Sequence, residues 1–133
     1  MDFAAVSWLG ALIAGIAFFA IGGVWYGPLF GDQWMRATGM TEERARESNL
    51  VMIFGGTLVL EVIAAVGLSA ILGEDVAPPA GALAGLWVGL LVAVPVLLVQ
   101  ALYERKTMIL WALNGGYNVV GFVLMGLVLA FFQ

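Results

Sequence analysis

Cysteine and histidine are both missing from this chain, and the two absences remove much of enzymology. Without a thiol there is no disulfide and no thiolate nucleophile. Without an imidazole there is no Ser-His-Asp triad, no histidine-held haem and no zinc site of the usual ligand types. Charge is scarce as well: 11% of residues are Asp, Glu, Lys or Arg, against 63% hydrophobic, and mean hydropathy is +1.06. Soluble domains carry about 25% charged residues, so most of this chain is solvated by lipid. Basic residues are the rarest charges, five in all, and form no cluster that would suit nucleic acid. No metal, no cofactor and no enzymatic activity are expected, and the partner common to every segment is the lipid bilayer.

What is abundant is length of apolar run. Crossing a hydrocarbon core of about 30 Å takes roughly 20 apolar residues in a helix. Four windows satisfy this, at about residues 3–26, 50–72, 80–102 and 108–132. A barrel would alternate polar and apolar residues in segments of about ten, a pattern these runs lack. The expectation is an all-α fold, an integral membrane four-helix transmembrane bundle forming one domain over residues 1–133, with a short interfacial helix between spans 1 and 2. The first run has no basic segment before it and exceeds a signal peptide in length, so it reads as a retained span. Arg36, Arg44 and Arg46 fall in the first connection and Arg105 and Lys106 in the third, with none in the second connection or at either end. By the positive-inside rule the first and third connections are cytoplasmic and both termini lie outside, in a bacterial inner membrane.

The first span closes on Gly22-Gly23-Val24-Trp25-Tyr26-Gly27-Pro28-Leu29-Phe30-Gly31, where proline and glycine predict a stop near Tyr26. Trp25, Tyr26 and Trp34 read as headgroup-level anchors, with a ligand cage as the sharper alternative. Phe30, Trp34, Ala37 and Met40 are spaced for one face of an interfacial helix. Thr41, with Glu42 and Glu43 behind it, predicts an N-cap from which the second span rises, and Glu43 stands three residues before Arg46. Gly81, Gly85 and Gly89 recur every four residues in the third span, a small-residue ridge that lets two backbones approach, either within the chain or against a second copy. Pro95 predicts a kink in the same span.

The deepest charge is Glu61. Counting from Leu50 at 1.5 Å per residue puts it roughly 16 Å into the membrane, and the same count puts Asn118 at that level with Asn114 a turn nearer the cytoplasm. Asn114 and Asn118 share a face beside Tyr117, so a carboxyl, two amides and a phenol could converge between the second and fourth spans. An unpaired charge there costs about 2.5–3.5 kcal/mol on insertion scales, which favours the neutral acid. Two readings stand side by side. Glu61 binds and releases a proton or cation, with Asn114, Tyr117 and Asn118 completing its shell, or a permanently neutral Glu61 bonds an amide across the helix interface. The first makes the chain transporter-like or channel-like. The second fits a scaffold or an accessory subunit of a larger membrane complex. Four thin helices rarely enclose a large site, which points to a homo-oligomer or a partner membrane subunit.

A span ending Trp25-Tyr26-Gly27-Pro28-Leu29-Phe30-Gly31 with Trp34 three residues on resembles the small membrane proteins grouped as domain of unknown function 1761. Gly31 to Met35 and the Asn114-Gly115-Gly116-Tyr117 stretch carry the likeness to the fourth span. The resemblance implies a prokaryotic four-span membrane protein without an assigned activity, and it marks the Trp25 to Trp34 elbow as a place to look.

Overall fold

A computed structural model describes residues 1–133, and it is helical with no strand. Seven α-helices follow in order: α1 Trp8–Val24, α2 Gly31–Thr38, α3 Glu42–Glu47, α4 Leu50–Leu72, α5 Pro78–Val88, α6 Val94–Tyr103 and α7 Met108–Ala130. Single π-turns at Trp25–Leu29 and Gly89–Ala93 extend α1 and join α5 to α6. Four helical rods, Trp8–Leu29, Leu50–Leu72, Pro78–Tyr103 and Met108–Ala130, are thereby long and apolar enough to cross a membrane. Up-down connection puts both termini at one end of the bundle and all five basic residues at the other. These are called the terminal end and the basic end.

The ends of the rods differ from the sequence reading in places where side chains decide the backbone. The first rod starts at Trp8 rather than Phe3, because Ser7 caps it by accepting from Gly10 N (3.2 Å) while Asp2 Oδ1 holds Ala4 N (2.9 Å) in the turn before. It does not stop at Tyr26. A π-turn carries the helical path past Pro28, where the Phe30 N–H bonds Trp25 O at 2.9 Å. The second rod does not rise from Thr41. Thr41 caps the short α3, Ser48 Oγ then donates to Arg44 O, and Asn49 recaps the chain by accepting from Met52 N (3.0 Å). Within α3, Arg46 pairs with Glu42 rather than Glu43, at 3.8 Å. In the third rod the break precedes Pro95: the proline ring has no N–H and crowds the carbonyl four residues back, and the π-turn at Gly89–Ala93 absorbs that misfit. The short helix α2 ends on Gly39 at φ 68°, a left-handed position that glycine fills without a Cβ clash.

Packing centres on α7, which lies against α1 on one side and α5 on the other, while α4 leans mainly on α1 and barely meets α5. The glycine ridge packs within the chain. A Cβ on Gly81 would strike the carbonyl oxygen of Gly126, one on Gly126 would strike that of Gly81, and one on Gly85 would strike that of Phe122. Gly89 continues the crossing, with the Cα of Val119 at 3.0 Å from where its Cβ would stand. Lipid offers no hydrophobic drive between helices, so this backbone-to-backbone approach is what holds α5 on α7.

The apolar core sits in the terminal half, where Ala11, Ala14 and Phe18 of α1 meet Ala65 and Leu68 of α4 and Met125 and Leu129 of α7. The terminal end is tied by polar groups. Ser69 is fully buried; its hydroxyl accepts from Ser7 N (3.2 Å) and its carbonyl from Gln133 Nε2 (2.9 Å), while Asp2 N reaches Ala70 O (2.9 Å).

Candidate functional site

Glu61 lies eleven residues from each end of α4, at the middle of the rod, and only 8% of it is exposed. Tyr117, on α7, donates its phenolic hydrogen to Glu61 Oε1 at 2.5 Å. The second carboxyl oxygen, Oε2, is covered and has no partner. Above this pair, toward the terminal end, α1 and α4 close tightly: a Cβ on Gly15 would lie 2.9 Å from both the N and the Cα of Val62. Below it, toward the basic end, the interior is polar and aromatic.

Tyr26 extends that lower region. Its hydroxyl donates to Asn114 Oδ1 at 2.7 Å, and its ring meets the ring of Tyr117 edge to face with centroids 5.1 Å apart. Trp25, one residue earlier, donates Nε1–H to the Leu113 carbonyl at 3.0 Å. Both side chains turn into the bundle because the π-turn rotates the end of the first rod and α7 offers glycines where the rings arrive. A Cβ on Gly116 would stand 2.9 Å from the Trp25 ring, and one on Gly121 would collide with Phe18. On the opposite wall, Gly22 leaves room for Tyr117, whose hydroxyl is 3.0 Å from where a Cβ would be. The Trp25 and Tyr26 expected as headgroup anchors are therefore bonded to α7. Trp34 meets Tyr26 edge to face at 6.2 Å, and Phe30 packs on Trp25 at 4.7 Å. Gly27 and Pro28 are exposed parts of the π-turn, and a Cβ on Gly27 would meet nothing.

Of the four residues expected to converge, the structure brings Glu61 and Tyr117 into contact and links Asn114 to Tyr117 through Tyr26. Asn118 stays apart, because its amide donates back to the Asn114 carbonyl of its own helix at 2.8 Å. Sequence reasoning missed Phe18, whose ring lies 5.1 Å from that of Tyr117 and braces it. The signal for that brace was Gly121 in α7, which is too crowded by Phe18 for any side chain.

At the basic end a cleft of about 290 Å³ opens between α2, α6 and the first turns of α7. Trp34 and Thr38 wall one side, Gln100 and Glu104 the other, and Asn114 closes its inner wall. Asn114 thus touches both the cleft and Tyr26, while its own Nδ2 makes no bond to the protein.

These features define a multi-pass α-helical membrane protein with one acid sheltered between its spans. The chain belongs to the family described as "Protein of unknown function (DUF1761)", whose profile matches residues 9–130. No curated protein and no solved structure matches it.

Proposed function

We propose that this protein binds and releases a proton at Glu61, in a transporter-like or channel-like role across a bacterial inner membrane. The observation that carries the reading is the covered, unpartnered Oε2. Buried polar atoms in native structures almost always have a partner, and a carboxyl kept only for packing would place both oxygens on donors. Here one oxygen is held by Tyr117 and the other is left for a proton. A single carboxyl with one phenol suits a proton better than a divalent cation, which takes six or more oxygen ligands. The charge asymmetry supports both termini outside and the basic connections in the cytoplasm. Catalysis on a substrate has no second carboxyl and no amine near Glu61 to support it, only phenols, which favours a non-enzymatic role.

Purified protein in liposomes under an imposed pH gradient, with an entrapped pH dye, tests this. Dissipation by the native chain and its loss in Glu61→Gln, with unfolding unchanged, supports the proposal. Equal traces from both leave only a packing role for the acid.

A second reading rests on the first two turns of α4. Residues 50–56 are all exposed, Val51 to 84%, although the Phe54 ring meets Phe19 of α1 edge to face at 6.1 Å, and a Cβ on Gly55 or Gly56 would meet nothing. A rod this exposed fits a homo-oligomer contact or a seat for a partner membrane subunit. Copurification in mild detergent separates the two: a stoichiometric foreign subunit favours an accessory role, and a self-contained oligomer favours the proton site.

A further inference from the structure

Polar groups are distributed unevenly about Glu61. On its terminal side the buried side chains are apolar: Ala65 and Leu68 of α4, Ala11 and Ala14 of α1 and Met125 of α7 are at most 2% exposed. The next polar side chain in that direction is Ser69, at 0% and already bonded to Ser7 N. On its basic side the order is Tyr117, Tyr26, Asn114 and then the cleft beneath α2, each touching the next. The titratable groups facing Glu61 are Tyr117 and, behind it, Tyr26; α4 adds none, and the nearest charged residues of the α6–α7 connection, Glu104 and Lys106, stand at the cleft, 3.9 Å from one another.

Building on the proton-site reading, we infer that in this conformation Glu61 exchanges protons with the basic end, by way of Tyr117, Tyr26 and water in the cleft beside Asn114, while the apolar core closes the terminal end until α1 and α4 part. Water in the cleft gives a proton to the Tyr26 hydroxyl, which releases its own hydrogen toward Tyr117 instead of Asn114 Oδ1. Tyr117 accepts that hydrogen and passes its own to the carboxylate, so no net change remains on either phenol, and Asn114 orients Tyr26 without carrying a proton. The line is open at one place, where Tyr26 and Tyr117 meet ring to ring rather than hydroxyl to hydroxyl. One water between the hydroxyls closes it. A plug of close-packed methyl and aromatic groups offers water no partners, and such spaces stay dry. Alternation to the terminal end would therefore require α1 and α4 to part along Gly15 and Val62.

The chain's freedom from cysteine makes access directly measurable. Glu61→Cys, Asn114→Cys and Leu68→Cys are each placed in sealed vesicles of known orientation and exposed to silver ion, a thiol-binding cation small enough for a water file, from one face at a time. Expected are reaction of Asn114→Cys and Glu61→Cys at least tenfold faster from the basic face than from the terminal face, loss of the fast Glu61→Cys reaction when Asn114→Leu is added, and no fast reaction of Leu68→Cys from either face. Reaction of Glu61→Cys from the terminal face as fast as from the basic face overturns the inference, as does fast reaction of Leu68→Cys from the terminal face or protection of Asn114→Cys from the basic face. The Asn114 and Leu68 variants keep the test decisive if Glu61→Cys does not fold. Labelling reads access and not turnover, so a silent Glu61→Gln in the flux assay sinks the proton-site reading without altering this outcome.

Discussion

The hydroxyl of Tyr26 donates to Asn114 Oδ1 at 2.7 Å, binding the last turn of the first rod to the inner wall of the cleft on α7. Tyr26→Phe keeps the ring against Tyr117 and removes only this bond. Interhelical hydrogen bonds in membranes average about 0.6 kcal/mol, so unfolding in detergent should shift little. Proton flux should drop several-fold, because the hydroxyl between cleft and Tyr117 is gone. Unchanged flux would take Tyr26 off the route.

Tyr117→Phe strips Glu61 of its one donor while leaving the ring packed on Phe18. An orphaned buried polar group costs about 1–3 kcal/mol, and this variant should be destabilised within that range. Pairing it with Glu61→Leu, which removes the acceptor, in a double-mutant cycle should give a coupling of at least several tenths of a kcal/mol, since the two groups touch. Additive losses would mean that the bond contributes nothing.

The α5–α7 crossing should fail on one added methyl group. Gly85→Ala sets a Cβ against the Phe122 carbonyl, a backbone atom that cannot swing aside, and overpacking of this kind costs about 1–3 kcal/mol. Gly55→Ala, on the bare turn of α4, meets nothing and gains helix propensity, so it should be neutral or slightly stabilising. The two thermal midpoints in the same detergent compare them. Equal effects would contradict the packing described.

Gln133→Ala should loosen the terminal end without melting the bundle. Its amide is the group that ties the Ser69 and Ala5 carbonyls together, at 2.9 and 3.4 Å. Faster hydrogen exchange confined to residues 2–7 and the end of α4 is expected. Global unfolding is expected to stay close to that of the native chain.

The four rods and the place of Glu61 at the middle of the second were legible because they depend on quantities a sequence carries directly: run length, charge placement and rise per residue. Counting along α4 and α7 brought Glu61 and Tyr117 near one level, and the structure pairs them. Rotation about a helix axis was harder to read. Trp25 and Tyr26 look like headgroup aromatics because tryptophan and tyrosine gather there in any membrane protein, and only the π-turn at Trp25–Leu29 aims them inward. Proline at position 28 predicted a stop, yet a π-turn tolerates the missing N–H and lets the rod continue. Asn118 sits at the right height but its amide bonds back to the Asn114 carbonyl one turn earlier on its own helix, a local bond that spacing cannot distinguish from a shared site. The Gly81, Gly85 and Gly89 ridge was visible as a ridge, but its partner was not, because α7 answers it with one glycine, Gly126, and bare backbone.

The account rests on Glu61 changing its protonation inside the folded bundle. Infrared difference spectra of the native chain and Glu61→Gln, recorded in lipid across a pH series, measure that group directly. A protonated-carboxyl band that is present at low pH, fades as pH rises and is missing from Glu61→Gln is the expected result. A Glu61 band that stays constant over the whole series would contradict it, since an acid that never gives up its hydrogen cannot pass one on.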